Sequence, residues 1–411
     1  MNVYLDSIGC KLNQSEIERM ARALHHAGHR VVYDPAQAEV CLLNTCAVTS
    51  TAARKTRQTL RRLRRQNPAA RVVALGCYAD LWPDQLQRLE GVEALAGPDI
   101  LAALSLATAA DRAGSFPRRR TRAFVKVQDG CDNHCTYCVV RLARGRERSR
   151  PLPEILDEAR QLAAEGVQEI VLTGVHVGAY GRDLGLDLVD LVRAILDAVG
   201  IPRLRLSSIE PWHLRPAHLE LWGDPRLCRH LHLPLQSGCD ATLRRMGRRY
   251  TAAQFRALVD QARGRIPGLA VTTDVMVGFP GESEDEFAES LRFVEQVGFS
   301  RLHVFRYSPR PGTPAAAFPD PAPAHVSAER AQAMQKVSQA SGRRFRAGLL
   351  GQCLPVLWES HDAGTGLWSG LTDNYVRVVA ASGQDLHNTI RPARLLALRP
   401  DGIAGELPAE R

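Results

Sequence analysis

Three cysteines within eight positions constrain this chain more than any other feature. They are Cys131, Cys135 and Cys138 in GCDNHCTYC, with three and then two residues between them. The motif directly follows the apolar run AFVKVQ, which reads as a strand. Three thiols so close cannot all point into a core, so they converge on a bound group. A structural zinc site wants four ligands; His134 or a distant residue would have to complete it here. A 4Fe–4S cluster held by three cysteines instead leaves one iron open to a small molecule.

The surrounding pattern is α/β. Between residues 123 and 340, AFVKVQ, EIVLTG, RLRLSS, HLHLPL, AVTTDVMVGF and RLHVFRYS read as six strands. Helical stretches near 152–165 and 285–297 separate some of them. Six such alternations predict a partial (β/α)6 barrel, whose chemistry gathers at the carboxyl ends of the strands.

The segment 1–105 predicts a smaller α/β domain. Short apolar runs at 3–5, 40–44 and 72–75 alternate with helical stretches near 15–27 and 54–66. Cys10, Cys46 and Cys77 lie just after those runs, in IGCKLNQ, NTCAVT and LGCYAD. They are 36 and 31 positions apart. Each read alone is either a buried structural cysteine or a ligand. Strand-end loops favour ligation, and Gly9 and Gly76 would let a bulky group approach the backbone. Cys41 falls inside an apolar strand. Cys228, Cys239 and Cys353 lack such settings, and structural roles are expected for all four.

Residues 106–122 read as a linker without periodicity. The tail, 341–405, carries QCLPVLWES, GLWSGLT and YVRVVAA, which predict a small β-barrel or OB-like module.

The net charge is +9, and lysines are confined to Lys11, Lys55, Lys126 and Lys336. Arginine suits phosphate contact; GC-rich coding also favours it. Arg54, Lys55, Arg57, Arg61, Arg62, Arg64 and Arg65 fall within twelve positions that hold no acid, and Arg118, Arg119, Arg120 and Arg122 form a second run. Both stretches fit phosphate binding or merely solvated surfaces. No apolar run approaches the roughly 20 residues a membrane helix needs. The start, MNVYLDSIGCKLNQ, lacks a signal peptide's pattern. A cytoplasmic protein is expected, in which ten cysteines point to metal or catalysis rather than disulfides.

Taken together, the motifs resemble the methylthiotransferase family of radical S-adenosylmethionine (SAM) enzymes. They are GCKLNQSE, NTCAVT, GCYAD, GCDNHCTYC, RGRERSR, LTGVHVGAYG, SSIEP, HLPLQSG, RRMGRRYT, TDVMVGFPGE and YSPRPGTPAA. GLTDNYVRV in the tail is similar to the family's RNA-binding TRAM domain. NTCAVTSTAARKTRQ and SSIEPW resemble the branch acting on N6-threonylcarbamoyladenosine in tRNA. Isopentenyladenosine and a ribosomal-protein aspartate are the alternatives within the family, and an RNA-binding protein with structural or redox-sensing clusters is the alternative outside it. Two stretches depart from the family pattern: Arg141 and Leu142 after the third clustered cysteine, and Ser7 and Ile8 before Cys10.

The resemblance implies two 4Fe–4S clusters. One, on Cys131, Cys135 and Cys138, would cleave SAM to a radical that takes hydrogen from carbon 2 of adenine. The other, on Cys10, Cys46 and Cys77, would hold the sulfur that a second SAM methylates. For SAM contacts it points to Gly174 and His176, and to Ser207, Ser208 and Glu210 at the next strand end. Gly278 and Gly281 would serve either the adenosyl group or only a turn. A tRNA anticodon loop, whose bases are already unpaired, and an electron donor such as flavodoxin or ferredoxin are the implied partners.

Overall fold

The computed structural model describes residues 1–95 and 120–408. Most of the expected linker 106–122, with Arg118 and Arg119, lies outside the described residues.

Parallel pairing organises the first 95 residues. Strands β1 (Asn2–Ser7), β2 (Arg30–Val32), β3 (Val40–Asn44), β4 (Arg71–Leu75) and β5 (Val92–Ala94) form a parallel sheet in the order β2-β1-β3-β4-β5. β3 is VCLLN and buried throughout, as a central strand covered on both faces must be. Cys41 lies in this strand with no exposure, so its expected structural place is met.

The six strands expected in the centre all form: β6 (Arg122–Asp129), β8 (Glu169–Gly174), β9 (Arg203–Leu206), β10 (His230–His232), β11 (Ala270–Val277) and β12 (Arg301–Arg306). A two-residue strand, β7 (Arg148–Ser149), pairs antiparallel with β6. The ladder is parallel from β6 through β8 to β9 and again from β10 through β11 to β12. A bridge between Ser208 and His232, and a 3.0 Å bond from the Ile209 N–H to the His232 carbonyl, join the two halves into an open barrel. Alternation sets the faces. In β9, Leu204 and Leu206 join the core with the outer helices, which turns Arg203 and Arg205 inward. Arg205 is fully buried and meets Glu169 of β8 through two bonds, 2.7 and 3.0 Å.

The tail strands β13 (Cys353–Asp362), β14 (Leu367–Thr372), β15 (Arg377–Ala381), β16 (Thr389–Arg399) and β17 (Gly402–Glu406) close into a barrel in the order β13-β14-β15-β17-β16. The last two strands were absent from the sequence reading. Trp358, Val356, Val378, Leu395 and Ile403 fill its interior. The helix Ala324–Ala347 leads into it and spans the expected boundary at 340. The barrel docks against the strand starts of the central domain. Arg203 donates to the Leu371 and Pro355 carbonyls at 3.0 and 2.7 Å, and Arg229 pairs with Asp373.

The helix Lys11–His26 lies against β6 and β8 and so joins the first sheet to the open barrel. Lys126 reaches Glu16 at 2.8 Å, Arg120 reaches Gln14 at 3.0 Å, and Arg22 pairs with Glu158. No helix among the described residues is long and apolar enough to cross a membrane.

Candidate active site

Cys10, Cys46 and Cys77 follow β1, β3 and β4, which are neighbours in the sheet. Parallel strands end on one edge, so sequence-distant cysteines share it. Gly9 and Gly76 have φ of +115° and +83°, and a Cβ on Gly9 would stand 2.7 Å from Cys46 Cβ and 2.9 Å from its Sγ. At Gly76 it would strike Asn44 Oδ1 at 2.1 Å. Asn13 fixes the loops from below, donating to the Ile8 and Thr45 carbonyls at 2.8 and 3.0 Å. Burial pushes the Cys77 thiol up to about 11 and raises Cys46. Such thiols are inert unless a cationic centre stabilises their ionised form, which suits this donor set to a metal cluster.

Cys131, Cys135 and Cys138 occupy the loop after β6, and the chain around them is pinned. The Cys131 N–H bonds the Gly145 carbonyl at 3.1 Å, and the Thr136 N–H bonds that of Met246 at 3.1 Å. Gly247, at φ +71°, passes so close that a Cβ would lie 2.9 Å from the His134 carbonyl oxygen. Tyr137 packs edge-on to Phe279 beneath the loop, with Met246 and Ala315 around it. Burial drives Cys138 up to about 12. His134 faces the Arg141 guanidinium at 2.6 Å, and among the described residues it is not part of the His/Cys/Asp/Glu cluster that Cys131 forms with Glu147 and His176.

Each triad receives an arginine that the sequence reading did not single out. Arg144 donates from Nε to Cys77 Sγ at 3.1 Å; it also reaches Asn13 at 3.0 Å, Glu16 at 2.7 Å and Asp129 at 3.2 Å. It lies six positions after Cys138, so it ties the second loop to the first. Arg248 donates to Cys135 Sγ at 3.5 Å and to the Pro234 carbonyl at 3.0 Å, pairs with Glu210, and stacks 4.8 Å over Trp212. Arg310, nearly buried, reaches the Ala47 carbonyl at 3.4 Å from the far side. The motifs RGRERSR, RRMGRRYT and YSPRPGTPAA carry these arginines, and they do not tell which one turns inward.

Of the residues expected to bind SAM, His176 and Glu210 lie beside the second triad. His176 Nδ1 lies 3.3 Å from Glu147 and 3.4 Å from Asn133. Burial alone would lower its pKa, but hydrogen bonds to Cys131 and Glu147 raise it to about 9. Its Nε2 is buried without a partner among the described residues, as is Ser207 Oγ. Cys131, Glu147 and His176 bring three ligand atoms within 4.8 Å of one another, but Cys131 belongs to the triad. A Cβ on Gly174 would come within 2.9 Å of the Gln128 carbonyl oxygen, so packing of β8 on β6 requires it. Gly278, at φ +70°, faces Ser327 Oγ at 2.2 Å from a notional Cβ, and its N–H bonds Glu282 at 2.7 Å; those contacts are a turn's. Cys228 and Cys239 are buried away from both triads, and Cys353 is exposed at the start of β13.

The sequence matches the radical SAM superfamily over residues 125–294 and the uncharacterized protein family UPF0004 over residues 2–97. A threonylcarbamoyladenosine tRNA methylthiotransferase of Thermotoga maritima is 36% identical over 433 residues, covering 99% of both chains. That of Bacillus subtilis is 34% identical, covering 96% of this chain and 93% of its own. The chain belongs to the radical SAM tRNA methylthiotransferase family. A tRNA-2-methylthio-N(6)-dimethylallyladenosine synthase of Syntrophobacter fumaroxidans is 35% identical over 98% of this chain. Among solved structures, the radical SAM methyltransferase TsrM of Kitasatospora setae superposes with a TM-score of 0.56 at 16% identity, covering 77% of each chain, a likeness of fold. This methylthiotransferase is thus a transferase whose cofactors are SAM and two 4Fe–4S clusters.

Proposed function

We propose that this methylthiotransferase adds a methylthio group to carbon 2 of N6-threonylcarbamoyladenosine beside the anticodon of tRNA. The observation that supports the reading is the Arg144 bond to Cys77, which links the segment six residues after Cys138 to the first cysteine set. The near full-length likeness to the two threonylcarbamoyladenosine enzymes supports the choice of base.

In this reading Cys131, Cys135 and Cys138 hold the SAM-binding cluster, and Cys10, Cys46 and Cys77 the auxiliary one. Bound there, the clusters and SAM supply the one-electron chemistry that an unactivated aromatic C–H bond demands. The protein does the rest. His176 and Glu147 hold a positive and a negative group beside Cys131. Arg248 orients Glu210 toward the same loop, with Gly174, Ser207 and Ser208 at the neighbouring strand ends. Arg144 ties the segment after the second triad to Cys77 of the first.

We assign residues 1–105 to the auxiliary-cluster domain, 106–122 to a linker, 123–340 to the radical SAM domain and 341–405 to a TRAM-like RNA-binding barrel. The helix Ser50–Gln66 offers exposed Arg54, Lys55, Arg61, Arg62 and Arg65 to RNA phosphates. Arg122 does not join them, because it turns inward to Glu359 at 2.8 Å. A flavodoxin- or ferredoxin-type donor supplies electrons, and the cytoplasm is the site of action. The test is nucleoside mass spectrometry of tRNA from a host lacking its own methylthiotransferases and expressing this chain. The 2-methylthio derivative of threonylcarbamoyladenosine is expected; that of isopentenyladenosine alone would overturn the reading.

A further inference from the structure

Three cations surround one tyrosine where the terminal barrel meets the open barrel. Arg205 Cζ lies 4.6 Å from the ring centre of Tyr375, Lys11 Nζ 5.6 Å and Arg122 Cζ 5.7 Å. Tyr375 is itself unusual, a non-glycine residue at φ +67°, a conformation that persists only where its surroundings impose it. Thr372 and Val376 impose it here, through the bonds that close the turn.

The charges do not balance. Arg205 is matched by Glu169 and Arg122 by Glu359. Arg203 adds a further positive charge, bonded to two carbonyls and 3.9 Å from the same Glu169. Among the described residues Lys11 has neither a hydrogen bond nor an ion pair, although it is half-buried. A cation withdrawn from water without a counter-charge is costly, and the acid nearest in the cluster, Glu169, is already engaged by Arg205 and Arg203. Lys11 also follows Cys10 directly, as the first residue of the helix Lys11–His26.

The opposite wall of the lumen is open. The register of β11 with β12 sets Asp274 beside His303 and Met276 beside Phe305, on the face opposite the core residues Val275 and Leu302. Phe305 remains 39% exposed, a large aromatic inside a barrel with nothing stacked on it among the described residues. Asp274 already faces His232 at 3.3 Å, so it does not compensate Lys11.

We propose that Lys11 is the specificity-determining residue of the substrate pocket, receiving the carboxylate of an amino-acid substituent on the exocyclic nitrogen of the target adenine. The assignment rests on the functional reading above. With carbon 2 turned to the cysteine-bearing strand ends, the N6 substituent leaves the ring at a wide angle, toward the lumen. Phe305 and Met276 offer the apolar surface on which an unpaired base stacks. A neutral isoprenoid substituent would leave the Lys11 charge unmatched, and the site discriminates against it on that ground.

The test uses the reconstituted full chain and anticodon stem–loop RNAs carrying threonylcarbamoyladenosine, its carboxyl methyl ester, or isopentenyladenosine. Wild type is expected to bind the free acid about tenfold or more tighter than the ester, the worth of one charge-assisted hydrogen bond. Lys11→Met should erase that difference while iron content stays at the wild-type level, and Lys11→Arg should retain most of it. Equal binding of acid and ester by wild type would overturn the assignment without recourse to any variant. So would a Lys11→Met enzyme that keeps the preference. A wild type that modifies only the isopentenyl RNA would overturn the functional reading as well, which separates the two failures.

Discussion

Replacing Arg144 by methionine should loosen the contact between the first domain and the open barrel by about 2–3 kcal/mol, and the structure supplies the arithmetic. Burial would push the Glu16 carboxyl up, but Arg144 and then Lys126 hold it down, from 4.5 to about 2. With the Glu16 side chain only 22% exposed, a displacement of that size corresponds to about 3 kcal/mol. Truncating one partner of a buried ion pair costs about 3–5 kcal/mol on independent grounds. Lys126 stays at 2.8 Å from Glu16, which keeps the loss toward the lower end. Unfolding of a chain with several domains is not one transition, so the assay is hydrogen exchange under anaerobic conditions. Amides of the helix Lys11–His26 should exchange about 30- to 150-fold faster in Arg144→Met, following 1.36 kcal/mol per factor of ten. Glu16→Gln in the same background should add little, because the two residues share one interaction. Exchange within about threefold of wild type, or strict additivity of the two substitutions, would refute the reasoning.

Other outcomes follow from the same contacts. Below pH 4.5 the first domain should lose stability progressively down to about pH 2, because the Glu16 carboxylate, depressed in the folded state, contributes fully only above its unfolded value. Hydrogen-exchange protection of the helix Lys11–His26 at pH 6 and pH 3, corrected for intrinsic exchange rates, checks this, and Arg144→Met should flatten the dependence. Arg248→Met removes the bonds to Glu210, Pro234 and Cys135 and should slow SAM cleavage about 10- to 100-fold, as loss of an outer partner of a metal ligand does; an unchanged rate would show that Arg248 is structural. Arg61→Glu with Arg65→Glu should reduce the salt slope of tRNA binding by about one unit per lost phosphate contact; an unaltered slope would place the RNA elsewhere.

Much of this architecture is legible in the sequence because parallel strands announce themselves as apolar runs. VCLLN and RVVAL needed no context, and the cysteines that follow them share an edge by topology alone. The helix starts were less visible. The first begins at Lys11 rather than near 15 because its opening turn carries Asn13, which turns inward to bond two carbonyls and breaks the amphipathic pattern. The second begins at Ser50 rather than 54 because Thr49 caps it, accepting the Ala52 N–H at 3.1 Å. In the tail, Thr389–Arg399 was missed because Pro392 interrupts it and a register shift between Leu395 and Ala397 breaks the alternation. The arginines were illegible for a different reason. Arg144, Arg248 and Arg310 act across domain or loop boundaries, and nothing local distinguishes them from the many arginines that face solvent.

Iron and acid-labile sulfide per chain after anaerobic reconstitution test the central claim most directly. The measurement compares wild type with two triple-alanine variants, one at Cys10, Cys46 and Cys77 and one at Cys131, Cys135 and Cys138. Two independent three-cysteine clusters predict about eight irons in wild type and about four in each variant. About four in wild type, with none lost from the variant at Cys10, Cys46 and Cys77, would contradict the account.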